Sequence, residues 1–196
     1  MINIEEYILA LLPIALSPGT SFILAMSNVA KVGLRGIVPI LIGTGLGLTL
    51  HSLVAGIGVS VLLSQSHLAM NVIRYLGIFF LTCFGIKLFL TGMHSPQPKQ
   101  DYNKTATGVK AALILNLTNV RAIVFYLTIV PLFSGISVAN YFIFSTLHIV
   151  ILTLWLLACG LCLTVAREKF KLSKLSTLIH LIGGVSLIFL AIRMAV

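Results

Sequence analysis

The chain is short of charge and shortest of acid. Only 9% of its 196 residues are charged, and just four are aspartate or glutamate. A soluble domain of this length needs a charged surface, which these residues cannot supply. No carboxylate lies in the deep part of any hydrophobic run. That gap argues against a cation carrier or a carboxylate proton relay, both of which place such groups at membrane depth. The first residues, Met1 to Glu6, lack the basic start of a signal peptide, so the first apolar run is expected to persist as a mature helix. Low-complexity tracts and a second, soluble domain are also missing. Three cysteines make no disulfide framework. Cys159 and Cys162 fit a C-x-x-C spacing that can mean redox chemistry or metal. With no third or fourth ligand at suitable spacing, the pair reads as small hydrophobes, and neither a metal nor a cofactor is expected.

What is abundant is apolar length. The chain is 59% hydrophobic, with a mean hydropathy of +1.12. About 20 apolar residues cross the hydrocarbon core of a bilayer, and six such runs occur, at 5–27, 37–63, 68–92, 107–134, 139–165 and 174–195. The sequence therefore predicts an all-α integral membrane protein with six transmembrane helices. The net charge of +9 does not point to nucleic acid, because ten of the 13 basic residues gather at alternate connections. Lys31 and Arg35 follow the first span; Lys87, Lys99, Lys104 and Lys110 surround the third connection; Arg167, Lys169, Lys171 and Lys174 crowd the fifth. Basic residues mark cytoplasmic loops, which puts both termini on the outer side of the membrane. Arg74 and Lys87 sit where they can snorkel from the third span.

Two spans carry breaks. Ser17-Pro18-Gly19-Thr20 interrupts the first, since proline removes a helical hydrogen bond and glycine loosens the next turn. Ser17 is the expected N-cap of a new half-helix. In the fourth span Asn116-Leu117-Thr118-Asn119-Val120-Arg121 forms the other candidate break, with Thr118 or Asn119 as cap. Arg121 falls near the midplane, where translocon scales put a charge at about 2.5–3.5 kcal/mol, so a functional role is expected. Irregular backbone at that depth is tolerated only against protein or a water-filled cavity.

The two halves align weakly. An offset of 101 residues lays Ser17 on Thr118 and Pro18 on Asn119. An offset of 106 lays Ile73 to Gly77 on Ile179 to Gly183, and Gly85-Ile86-Lys87 on Ala191-Ile192-Arg193. Three spans per half require the second half to run inverted. The expected organisation is residues 1–92 as a first three-helix repeat, 93–106 as a cytoplasmic linker, and 107–196 as an inverted second repeat. Inverted repeats with paired broken helices mark transporters that bind solute at the repeat interface.

Two half-helices starting at mid-membrane would aim free N–H groups and positive dipole ends at one cavity. Arg121 adds a guanidinium suited to a carboxylate. The expected ligand is thus a small solute bearing a carboxylate, and an amino acid fits. Carbonyls at the breaks, with Asn116 or Asn119, would take its ammonium, and Ser17, Thr20 and Thr118 offer hydroxyls. His51, among the small residues Gly43, Gly47 and Ala55, and His148 are candidates for proton coupling, since histidine titrates near neutrality. Packing is the default reading of the His51 stripe, and His148 reads equally as a satisfied interior histidine. The expected partners are the solute, a coupling proton or ion and the lipid bilayer. A homo-oligomer stays open.

Pro18-Gly19-Thr20 resembles the P-G-P motif of the LysE/RhtB family of bacterial amino-acid exporters. Gly108, Asn119-Val120-Arg121 and Pro131-Leu132-Phe133 resemble that family's G…N-P-K…P-x-F segment. Length and the Gly-rich second span agree. The resemblance implies export across the inner membrane, driven by a proton or ion gradient, with Pro18, Gly19, Asn119 and Arg121 at the functional positions. Thr20, Val120 and Arg121 depart from the motifs, and Val120 is similar to the cysteine/O-acetylserine exporter branch. Two other readings compete: a membrane thiol–disulfide relay through Cys159 and Cys162, and a metal-ion exporter using His51, His148 and cysteine.

Overall fold

A computed structural model describes residues 4–94, 106–165 and 172–195. Among the described residues the chain is helical throughout, without strands. Four helices are long and apolar enough to cross a membrane, and two bent pairs raise the number to six if each pair is one span. The expected linker at 93–106 lies mostly outside the described residues, as do Lys99, Lys104, Arg167, Lys169 and Lys171.

The first span is α1 (Ile4–Leu16) followed by α2 (Thr20–Val32), bent by 49° at the break. It ends at Gly33, whose φ of 72° lets its N–H turn back to the Val29 carbonyl at 2.9 Å. A short 3-10 turn, Leu34–Gly36, leads into α3 (Ile37–Gln65), and α4 (His67–His94) follows. The fourth span is α5 (Val109–Leu117), then a continuous run of α6 (Val120–Val124), a π-helical turn (Phe125–Ile129) and α7 (Val130–Ser134). Its two parts are bent by 54°. It ends as the first span does, on a glycine of positive φ, Gly135 at 60°, bonded back to Pro131 at 3.0 Å. The last spans are α8 (Val138–Val165) and α9 (Leu172–Ala195).

Side-chain pairings give the direction of each span. Arg74 donates to the Met194 carbonyl, through Nε at 2.8 Å, while Gly92 lies against Leu181, so α4 and α9 are antiparallel. Between them Gly85 and Gly184 meet so closely that a Cβ on either would press within 2.9 Å of the other's carbonyl oxygen. Gly43 meets Ala112 and Gly47 meets Asn116, which makes α3 and α5 parallel. Tyr7 packs on Phe144 with the rings tilted and Phe22 stacks on Trp155, so the first span runs parallel to α8. Glu6 on Arg193 and Pro13 on Gly183 set α1 antiparallel to α9, and Gly45 near Ile149 with Gly56 on Tyr141 sets α3 antiparallel to α8. Direction therefore alternates along the chain when each bent pair is taken as one span. The broken spans are seated differently: α1 lies chiefly on α9, whereas α5 lies along α3.

The core is built from large rings at the meeting of α1, α8 and the π-helical turn. Tyr7, Phe125, Tyr126, Tyr141 and Phe144 are all but inaccessible. Tyr7 gives its O–H to the Phe144 carbonyl at 2.9 Å, which satisfies the one polar atom that the ring brings inside. The outer faces are apolar, with Phe79 68% exposed and Leu154 64% exposed, as surfaces meeting lipid rather than water must be.

Candidate functional site

The cavity between the breaks is small, about 50 Å³. That is room for a few waters, at roughly 10–15 Å³ each, and well short of the roughly 300 Å³ at the small end of ligand pockets. Its lining joins both breaks: Ser17, Gly19 and Thr20 from the first, Asn116, Asn119 and Arg121 from the second, with His148 from α8. Apolar walls come from Ile14, Phe22, Leu48, Phe125 and Leu152.

Local chemistry explains the breaks, with one correction. Ser17 does not cap α2. The cap is Gly19, in extended backbone and without a side-chain bond, because the chain needs both Pro18 and Gly19 to turn before Thr20. The Ser17 hydroxyl instead meets Arg121. In the second break Asn119 is the cap, its Oδ1 accepting from the Arg121 N–H at 3.1 Å. Thr118 turns the other way; its exposed hydroxyl donates to the Ile114 carbonyl of its own helix at 3.0 Å. Thr118 and Pro18 both fall outside the cavity lining.

Arg121 reaches across from one break to the other. Its guanidinium donates to Ser17 Oγ at 2.5 Å and lies 4.6 Å from the centre of the Phe84 ring. A Cβ at Gly19 would come within 3.1 Å of its terminal nitrogen, so the glycine gives the guanidinium its place. Among the described residues only Glu5 and Glu6 are acidic, both at the start of α1, and Glu6 bonds Arg193 at 3.0 Å. No described carboxylate accompanies Arg121. A cation held this way by one hydroxyl and one ring keeps donors free for an anion.

Asn116 supplies the opposite polarity. Its residue is 4% exposed, and its Oδ1 is buried without a hydrogen-bond partner. Such an orphan costs about 1–3 kcal/mol. Gly47 makes room for it, because a Cβ there would collide with Oδ1. The main-chain carbonyl of Asn116 bonds His51 Nε2 at 3.1 Å. A carbonyl only accepts, so Nε2 carries the proton. His51 lies outside the cavity lining but stacks on Tyr126 at 6.1 Å, and Tyr126 stacks on His148 at 6.0 Å with its hydroxyl 3.4 Å from Nδ1. The two histidines are thus joined through one buried tyrosine.

Sequence reasoning missed Ser21, one residue into α2, and Thr44, whose hydroxyls pair at 3.2 Å on the cavity wall. Thr44 stands between Gly43 and Gly45 in the small-residue stretch, the signal that could have drawn notice. It also missed Asn28, fully buried, whose amide donates to the Gly36 and Thr107 carbonyls at 2.9 Å each and accepts from the Thr107 N–H at 2.8 Å. Cys83, Cys159 and Cys162 are free thiols. Among the described residues no three of His, Cys, Asp and Glu are grouped to hold a metal.

Comparison with known proteins gives relatives but no template. No solved structure matches the chain. A homoserine/homoserine lactone efflux protein of Salmonella typhimurium is 30% identical over 152 residues, 74% of this chain and 72% of the relative. An uncharacterized membrane protein of Vibrio cholerae is 30% identical over 65% of this chain, which spans only 62% of that relative's length. The membrane protein YrhP of Bacillus subtilis is 26% identical over 95% of this chain and 97% of its own. The model of the LysE type translocators matches residues 12–196, so both breaks and the whole cavity fall within it, and the chain belongs to that family.

Proposed function

We propose that this multi-pass membrane protein exports a small amino acid or amino-acid derivative from the bacterial cytoplasm by alternating access. The observation that carries this reading is the pair of unmatched polar groups in one cavity. Arg121 has no described carboxylate partner, and the buried Asn116 Oδ1 has no donor. A zwitterion supplies both. Its carboxylate takes the guanidinium, with N–H groups of the first turns of α2 and of the helix beginning at Val120 nearby. Its ammonium takes Asn116 Oδ1. Ser17, Gly19, Thr20 and Asn119 complete the substrate site. The Salmonella relative, named as a homoserine/homoserine lactone efflux protein, supports a solute of this size and kind.

The cavity of about 50 Å³ is too small for an amino acid, so loading requires the broken helices to part. The two halves, 1–92 and 107–196 joined by a linker at 93–106, act as inverted repeats. Alternating span directions and the matching glycine ends of the two broken spans support that organisation. In this form α1 lies on α9 while its counterpart α5 lies along α3. Exchanging these two arrangements would carry the cavity from one side of the membrane to the other. Both termini face the periplasm by the basic-loop rule. A proton gradient drives export, with His51 and His148 as the coupling groups, because His51 touches the substrate-side carbonyl and His148 lines the cavity.

Reconstituted vesicles loaded with a panel of labelled amino acids test the reading. The protein should speed efflux of at least one small neutral amino acid, and an inward proton gradient should speed it further. Efflux equal to that of protein-free vesicles for the whole panel would refute it.

A further inference from the structure

If Arg121 and Asn116 hold the two ends common to all amino acids, something else in the cavity must read the side chain. The remaining polar groups of the lining that neither end requires include Ser21 and Thr44. They come from different spans, Ser21 from the first turn of α2 and Thr44 from α3, and their oxygens lie 3.2 Å apart. Thr44 is only 2% exposed, so its hydroxyl is not a water-facing accident. Between two hydroxyls one O–H donates to the other, which leaves one O–H and further lone pairs unassigned. The pair can therefore donate to and accept from a third group. Phe22 and Leu48, neighbours of the pair on α2 and α3, contribute apolar wall to the same lining.

We infer that Ser21 and Thr44 are the specificity-determining residues of this carrier, and that they select a short, uncharged side chain bearing a hydrogen-bonding group. This rests on the export reading above. A basic side chain would bring a second ammonium into a cavity whose lining holds no carboxylate, and a buried unpaired charge is prohibitive. An aliphatic side chain of equal length is disfavoured less, because the two hydroxyls still satisfy each other in its absence. One hydrogen bond then separates the hydroxylated from the aliphatic solute, about threefold to tenfold in apparent affinity.

The test compares homoserine, 2-aminobutyrate and lysine as labelled probes in reconstituted vesicles. Wild-type protein should prefer homoserine to 2-aminobutyrate by that factor and leave lysine behind. Thr44→Val and Ser21→Ala should bring the homoserine preference close to one, while Thr44→Ser, which keeps the hydroxyl, should restore it. Because the readout is a ratio between two probes, a variant present in smaller amounts still reports. An unchanged ratio in both variants, or efficient lysine efflux, would overturn the assignment and leave the export reading standing. No efflux of any of the three probes by the wild type would overturn the assignment, and no efflux of any amino acid in the wider panel would overturn the export reading with it.

Discussion

Replacing Arg121 with glutamine separates a binding cation from a structural one. In the structure the guanidinium gives one hydrogen bond to Ser17 and rests against Phe84, with no described carboxylate to neutralise it. Glutamine is two bonds shorter and gives up that single bond to a neutral hydroxyl. It also loses the charged fork offered to a substrate carboxylate. Hydrogen bonds to charged groups contribute about 1.5–3 kcal/mol each, so losing the fork should cost about 3 kcal/mol. At roughly 1.4 kcal/mol per tenfold, that is a rise in KM for efflux of about 100-fold. Arg121→Lys keeps the charge but not the two parallel donors, and a rise of about tenfold is expected. Thermal stability should move the other way. A partly buried charge without a counter-charge is a burden on the folded state, so Arg121→Gln should melt in detergent no lower than wild type. The assays are efflux kinetics in vesicles and thermal unfolding of the same preparations. Unchanged KM, or lost transport together with a marked drop in melting temperature, would refute the reasoning and make Arg121 a structural residue.

Other perturbations follow from the same geometry. Gly47→Ala should abolish transport by displacing Asn116, whereas Gly58→Ala on the same helix, where an added Cβ meets nothing within 4 Å, should leave efflux intact. Asn28→Ala should destabilise the fold by about 2–4 kcal/mol, since it strands the buried Gly36 carbonyl and the half-buried main-chain groups of Thr107, and a melting curve reads the loss directly. Changing Cys83, Cys159 and Cys162 together to alanine should preserve efflux, and lost transport with normal folding would revive a thiol mechanism.

Much of the fold was legible because its signals are one-dimensional. Span length, the proline-glycine break and a lone arginine inside an apolar run need only the order of residues. The second break, which lacks a proline, was legible through Asn119, whose short side chain caps the helix beginning at Val120. The direction of individual side chains was not. Thr118 sits beside Asn119 in sequence, yet a helix end turns adjacent residues to different faces, so one caps and lines the cavity while the other bonds its own helix. Ser17 read as a cap because serine before proline suits that role, but Gly19 starts the helix and leaves the hydroxyl to Arg121. Asn28, Ser21 and Thr44 were overlooked for a shared reason. Each is a small polar residue in an apolar helix, and only its partner in another span distinguishes a clamp or a binding group from filler.

The central claim is that both breaks frame one solute chamber, and substrate protection of single cysteines tests it most directly. On a background without native cysteines, Thr20→Cys and Asn119→Cys should react with a small thiol reagent, and a transported amino acid should slow both reactions. Thr118→Cys, on the outer face, should show no protection. Protection at neither Thr20→Cys nor Asn119→Cys, in a protein that still exports the same amino acid, would contradict the account.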